Sequence, residues 1–137
     1  MIALDTNIIV RLLVRDDEEQ ARTAYRLIAD RSVSVTLAVL METEWVLRAV
    51  YGFSKPRVLE AMKGLVGLER LAIDDPIGAR NVFMAYEAGL SFADAVHLAQ
   101  SSNARGFATF DMDIVTTSAK LNIFVPSFTP QMLEEKR

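Results

Sequence analysis

Short apolar runs rich in β-branched residues alternate with longer segments of helical periodicity, and this alternation constrains the fold more than any other feature. The intervening segments are long enough for helical crossovers, which place consecutive strands parallel in one sheet. We therefore expect an α/β fold, a three-layer α/β/α sandwich with a mainly parallel sheet of about five short strands. The five runs with strand character are Ile2–Leu4, Ser32–Thr36, Leu71–Ile73, Gly106–Phe110 and Asn122–Val125.

Capping residues predict where the helices between these runs begin and end. Side-chain oxygens before an amphipathic segment favour a helix start, and a glycine after it favours a helix end. The expected helices run from a cap at Thr6 or Asn7 through Val14, from the acidic run Asp16–Glu19 through Ile28, over Leu37–Tyr51 up to Gly52, from Ser54-Lys55-Pro56 onward, over Ile77–Ala88 and over Phe92–Ser102.

The composition is that of one small globular domain, which we expect to span residues 1–137. The chain has 137 residues, of which 51% are hydrophobic, and a formal net charge of −3. It contains no cysteine, which excludes disulfides, thiolate metal sites and a cysteine nucleophile. Its apolar runs are too short to span a bilayer, so we expect a cytoplasmic protein without a membrane partner.

Acidic residues follow the expected strands with unusual regularity. Asp5 comes directly after the first strand and Asp111 directly after the fourth, while Asp94 lies in the first turn of the helix Phe92–Ser102. Ligands of parallel α/β sheets bind outside the carboxyl ends of the strands, where the topology would collect these side chains. Each also has a local structural role available: Asp5 and Asp111 could cap helices, and Asp94 could stabilise a helix N-terminus.

Glu42 is the fourth acid of interest because it lies inside a helix rather than after a strand. Its neighbours three and four residues away are Ala38, Val39, Trp45 and Val46, which predicts that Glu42 interrupts an apolar stripe facing the protein. The alternative explanations for such a carboxylate are that it snorkels to the surface or that it pairs with an arginine. Glu44 lies on a different side of the helix and is expected to form a surface pair with Arg48.

Carboxylates gathered at one end of a sheet repel one another, and a bound cation is the usual compensation. Oxygen ligands without cysteine suit a hard ion, so the sequence predicts a site for Mg²⁺, with Mn²⁺ as a substitute.

Four motifs together resemble the PIN-domain endoribonucleases, and more narrowly the VapC toxins of type II toxin–antitoxin pairs. They occur in the family's order and cover nearly the whole chain. The motifs are Leu4-Asp5-Thr6-Asn7, Leu40-Met41-Glu42-Thr43-Glu44-Trp45-Val46-Leu47 followed by Tyr51-Gly52, Phe92-Ala93-Asp94-Ala95-Val96-His97-Leu98-Ala99, and Thr109-Phe110-Asp111.

The resemblance implies a metal-dependent endoribonuclease that hydrolyses RNA phosphodiester bonds and leaves 5′-phosphate and 3′-hydroxyl ends. Its acidic quartet falls on Asp5, Glu42, Asp94 and Asp111, with Asp113 as an additional metal ligand. Asp5 and Asp94 would hold the principal Mg²⁺, and Glu42 and Asp111 would bind a second ion or orient water. Residues expected to support the site from behind are Thr6, Asn7 and Thr109.

The resemblance also implies partners. These are an RNA substrate, with transfer and ribosomal RNA as candidates, a small VapB-like antitoxin and a second copy of the chain. A homodimer is further suggested by Leu37, Leu40, Met41 and Leu47, which lie away from Glu42 on a helix that is apolar on two sides.

Positive charge for RNA binding would come from the rim of the site, although each of these side chains could equally serve solubility. The candidates are Arg11, Arg15, Arg48, Lys55 and Arg57. The single histidine, His97, follows Asp94 by one helical turn and is expected to be packed or to support the site rather than act as a base.

Two other functions remain open from the residues. A phosphoacceptor receiver domain is also a small parallel α/β protein with strand-end carboxylates around Mg²⁺. It would need a lysine after the fifth strand, where this chain has Pro126-Ser127. A non-catalytic RNA-binding module is the second alternative, although it leaves the acidic quartet unexplained.

Overall fold

A computed structural model describes residues 1–135, which fold into two compact units, Met1–Pro76 and the chain from Ile77 onward. The first unit contains a parallel three-stranded sheet in the order β1-β2-β3, formed by Ile2–Ala3, Val33–Val35 and Leu71–Ile73. Register pairs Ile2 with Val33 and Val33 with Leu71. Every strand is only two or three residues long, so helices make up most of the unit.

Four α-helices and one π-helical segment connect the strands of the first unit. The helices α1 and α2 lie between β1 and β2, and the others lie between β2 and β3. Their bounds are Thr6–Val14 for α1, Glu18–Asp30 for α2, Leu37–Trp45 for α3, Val46–Val50 for the π-helical segment and Lys55–Val66 for α4. Helix α1 contacts both α2 and α3, and α4 contacts β3.

Up to residue 135, the second unit contains four helices and a parallel two-stranded sheet. The strand β4, Phe107–Ala108, pairs with β5, Ser127–Phe128. The helices are α5, Pro76–Glu87, α6, Phe92–Gln100, α7, Met112–Leu121, and α8, Pro130–Glu135. Phe92 is buried, and the rings of Tyr86 and Phe92 meet edge to face with centroids 5.4 Å apart.

Each unit has its own set of buried apolar side chains. In the first, the largest fully buried side chains are Ile9, Val33, Val35, Leu37, Leu40, Leu47, Val58, Met62 and Leu65; in the second they are Val82, Phe92 and Leu98. Burial of a leucine or isoleucine side chain stabilises a fold by roughly 1.5–3 kcal/mol, so these residues supply most of the driving force.

The α/β fold with short parallel strands is confirmed, with five strands among residues 1–135. They form one sheet of three and one of two, instead of one continuous sheet. The fifth strand was expected at Asn122–Val125 and lies at Ser127–Phe128 instead. Helix α7 continues to Leu121 and ends on Asn122 in the left-handed conformation, so the strand begins only after Pro126. A single domain over residues 1–137 stays a prediction.

Most helix starts agree with the capping signals. Ser54 caps α4 and Asp17 caps α2 as the sequence indicates, whereas Asp5, and not Thr6 or Asn7, caps α1. The expected helix Leu37–Tyr51 changes to π-helical hydrogen bonding at Val46, and Gly52 with φ 71° ends it. The short helix α8 has no counterpart among the expected elements.

None of the helices within residues 1–135 combines the length and the apolar character needed to cross a membrane.

Candidate functional site

Asp5 lies at the end of the first strand and at the start of α1. Pairing of β1 with β2 extends to Leu4, whose N–H donates to the carbonyl of Ser34 at 2.9 Å. Asp5 follows at once, is exposed, and accepts a hydrogen bond from the Thr6 N–H at 2.7 Å through Oδ1. Thr6 is buried and Asn7 is exposed. The strand-end position and the capping role of Asp5 are therefore both present in the same residue.

Asp111 occupies the corresponding place in the second unit. The Thr109 N–H continues the β4–β5 ladder by donating to the carbonyl of Phe128, and Asp111 then caps α7. Its Oδ1 accepts from the Asp113 N–H at 2.9 Å, and its own N–H donates to Thr109 Oγ1 at 3.0 Å. Asp111 and Asp113 are both exposed at the start of α7. Thr109 thus supports the backbone of Asp111.

Asp94 lies in the first turn of α6, as expected. Its N–H donates to Oγ of the capping residue Ser91 at 3.1 Å, and its side chain is half-buried. His97 is exposed one turn further along, so it is not packed, and its role in supporting the site stays a prediction.

The structure reverses the expected burial of the two acids on α3. Glu42 is exposed, whereas Glu44 is only 5% exposed. The pair between Glu44 and Arg48 is present, with Arg48 Nε 2.8 Å from Glu44 Oε2, but its acid is buried instead of lying on the surface. The argument that Glu42 interrupts a stripe facing the protein is therefore wrong, because Ala38 and Trp45 beside it are exposed as well.

The spacing of the leucines in the sequence indicates that the Glu44 side of α3 is buried. Leu37, Leu40 and Leu47 are all buried, and Glu44 takes the remaining position of this 3-4-3 spacing. These leucines therefore cannot supply the expected dimer face. The exposed apolar side chains of the α3 region are Trp45, 55% exposed, and Val50 in the π-helical segment.

The candidate acids have oxygen donors available for a cation. Within residues 1–135, none of the acids of this set is paired with a basic side chain. In Asp5 and Asp111 the Oδ1 atom accepts a backbone hydrogen bond. Across the same residues, no three carboxylate or imidazole side chains lie together in an arrangement that would hold a metal ion. Carboxylate oxygens suit Mg²⁺. Asp5 and Glu42 lie in the first unit, and Asp94, Asp111 and Asp113 lie in the second.

Some of the basic residues expected at the rim are engaged within the first unit. Arg11 pairs with Asp16, which also accepts a hydrogen bond from the Tyr51 hydroxyl at 3.0 Å. The hydrogen bond from Arg11 holds the pKa of Asp16 below its ordinary value of 3.8, and Tyr51 acts in the same direction. This network ties the loop after α1 to the residue that follows the π-helical segment. Arg57 stacks on the Phe53 ring, with its Cζ 3.8 Å from the centroid.

A largely apolar groove of about 740 Å³ lies on the first unit. It is lined by side chains of α1, α2 and α4 together with Phe53, and charged residues are among its lining. The lining includes Leu12, Leu13, Tyr25, Ile28, Phe53, Ala61, Leu65 and Leu68, with Arg15, Arg57, Glu60, Glu69 and Arg70 as the charged members. No residue of the candidate acidic set lines it.

A comparison with protein families now decides the classification. The family model of the PIN domain matches residues 2–120, which is most of the chain, and all five candidate acids lie within that range. The chain belongs to the PIN domain family. The PIN domain is a nuclease-type domain. No curated protein matches the chain significantly.

Proposed function

We propose that this PIN domain is a metal-dependent endoribonuclease, the toxin of a type II toxin–antitoxin pair acting in the cytoplasm. The observation that carries the proposal is the placing of Asp5 and Asp111, which lie one and two residues beyond the last ladder hydrogen bond of a parallel strand. Each caps a helix, and neither is paired with a basic residue. Capping alone explains one carboxylate oxygen of each and leaves the other for a ligand. Membership of the PIN family disfavours the receiver-domain alternative.

The acids proposed to act on RNA are Asp5, Glu42, Asp94 and Asp111, with Asp113 as an additional ligand. They would hold Mg²⁺ or Mn²⁺, which supplies an activated water and shields the phosphate charge when bound. The helix N-termini beneath Asp94 and Asp111 add partial positive charge where the polyanionic substrate approaches. Products with 5′-phosphate and 3′-hydroxyl ends are expected.

The groove on the first unit supports the proposed protein partner. An apolar channel lined by helices, with charged residues of both signs in its lining, suits an amphipathic segment. We propose that a VapB-like antitoxin places such a segment here. The homodimer is proposed to use exposed Trp45 and Val50, since the leucines of α3 are buried.

The nuclease proposal is tested with two matched substitutions in one unit. Asp5 and Asp17 are both exposed and both cap helices, but only Asp5 follows a strand. Asn caps nearly as well as Asp, so both Asp→Asn variants should fold. Asp5→Asn should abolish Mg²⁺-dependent cleavage of RNA, and Asp17→Asn should leave it intact.

Cleavage is measured on end-labelled RNA after chromatography that separates contaminating nucleases. An Asp5→Asn enzyme as active as wild type would overturn the proposal. Equal loss in both variants would trace the effect to helix capping and would remove Asp5 from the site.

A further inference from the structure

Phe110 exposes an aromatic ring beside two of the candidate acids. It is 77% exposed, while Asp111 follows it directly and Asp113 lies three residues beyond. Met112, between the two acids, is 49% exposed. Among residues 1–135 the ring of Phe110 packs against no other aromatic side chain. An apolar ring left in water contributes little to folding, and this one stays available to a ligand that reaches the acids beside it.

The backbone around Phe110 is held on both sides. Thr109 donates to the β4–β5 ladder, and the Asp111 N–H donates back to Thr109 Oγ1 at 3.0 Å. Asp111 in turn accepts from the Asp113 N–H and starts α7. The ring is therefore presented from an ordered turn, and little conformational freedom would be lost when a ligand binds it.

We infer that Phe110 stacks on an unpaired base of the RNA whose phosphodiester lies at Asp111 and Asp113, an inference that rests on the proposed nuclease function. Without a bound cation these acids repel a phosphate backbone, so an uncharged part of the substrate is the natural source of attraction beside them. The faces of the bases provide it, and aromatic side chains bind them with little dependence on sequence. Bases inside a duplex are already stacked, so the substrate class is single-stranded RNA or a loop.

The test compares Phe110→Ala, Phe110→Leu and Phe110→Trp. A base needs an aromatic face, whereas an apolar protein partner accepts leucine. Binding of a fluorescein-labelled decameric oligoadenylate is followed by anisotropy in EDTA, and KM and kcat for the same RNA are measured with Mg²⁺. Ile77→Ala is the control, because Ile77 is 69% exposed in the same unit and is distant in sequence from the acids.

Alanine and leucine variants should raise Kd and KM about 5- to 100-fold with little change in kcat, while tryptophan restores both. The difference between wild type and Phe110→Ala should vanish on an oligonucleotide with abasic sites. Ile77→Ala should bind as wild type does.

The results of this test distinguish failure of the stacking role of Phe110 from failure of the proposed nuclease function. If wild type neither binds nor cleaves RNA, the nuclease proposal itself fails. If wild type cleaves RNA and Phe110→Ala or Phe110→Leu matches it, only the stacking role is overturned. A change in oligomeric state of Phe110→Ala by sedimentation, with RNA affinity unchanged, would assign the ring to a protein interface and would also overturn it.

Discussion

At the scale of single residues, the same substitution should lower stability at the buried Glu44 and cleavage activity at the exposed Glu42. Glu44→Gln removes the charge that bonds Arg48 in a buried setting and should lower the unfolding free energy by about 1–3 kcal/mol. Glu42→Gln should cost less than about 0.5 kcal/mol, since its side chain is exposed. In cleavage assays, Glu42→Gln should lose most activity and Glu44→Gln should keep it.

Urea unfolding and RNA cleavage, both well below the melting temperature, check this pair. Because the substitution is identical and the positions are two residues apart, general damage to α3 would affect both variants. A silent Glu42→Gln beside an inactive Glu44→Gln would move the catalytic acid to Glu44.

The Arg11–Asp16–Tyr51 network should make stability depend on acid pH. The pKa of Asp16 is lowered in the folded protein, chiefly by the hydrogen bond from Arg11. Its contribution is therefore fully present above the ordinary value of 3.8 and is lost as pH falls through the lower folded value. Melting temperatures measured between pH 2 and pH 7 should fall less steeply at the acid end in Asp16→Asn. Tyr51→Phe removes the weaker of the two hydrogen bonds to Asp16, so its pH dependence should lie between those of wild type and Asp16→Asn. An unchanged slope in Asp16→Asn would contradict a role of Asp16 in acid stability.

At the scale of secondary-structure elements, two glycines predict opposite effects of the same substitution. A Cβ at Gly106, just before β4, would lie 2.4 Å from Cε1 of Phe128 in the neighbouring strand. Gly106→Ala must displace that ring and should cost about 1–3 kcal/mol. Gly64 lies in α4 with open space around its Cβ position, and Gly64→Ala should stabilise the helix by about 0.5–1 kcal/mol.

Thermal or urea unfolding of the two alanine variants checks these signs. If Gly106→Ala is as stable as wild type, the Phe128 ring moves without loss, and the close approach of β4 to β5 is not a constraint on this position.

At the scale of the whole molecule, divalent metal should stabilise the folded chain. The candidate acids lack basic partners within residues 1–135, and an ion that binds only the folded state raises its stability by mass action. Mn²⁺ should raise the melting temperature of wild type and of Asp30→Asn, a control at the end of α2, and should raise that of Asp94→Asn much less. Equal shifts in all three proteins would remove Asp94 from the metal site.

The helix starts and the places of Asp5, Asp94 and Asp111 could be predicted from the sequence because their causes are local. A cap needs only a side-chain oxygen and the N–H groups one to three residues later. The helix end at Gly52 is predictable for the same reason, because the left-handed conformation depends on the glycine itself. The α/β class follows from the alternation of apolar patterns, which is also readable along the chain.

Tertiary packing alone decided which side of α3 is buried. The leucine side of α3 and its Val39–Trp45–Val46 side are both apolar, so hydrophobicity alone does not determine which side is buried. Contact with the rest of the protein determines it, and Glu44 is buried as a result. Packing likewise placed the fifth strand at Ser127–Phe128, where the Phe107 N–H donates a hydrogen bond to the Pro126 carbonyl at 2.8 Å. A strand of two residues has too few side chains to specify its own position, and its partner strand must do so.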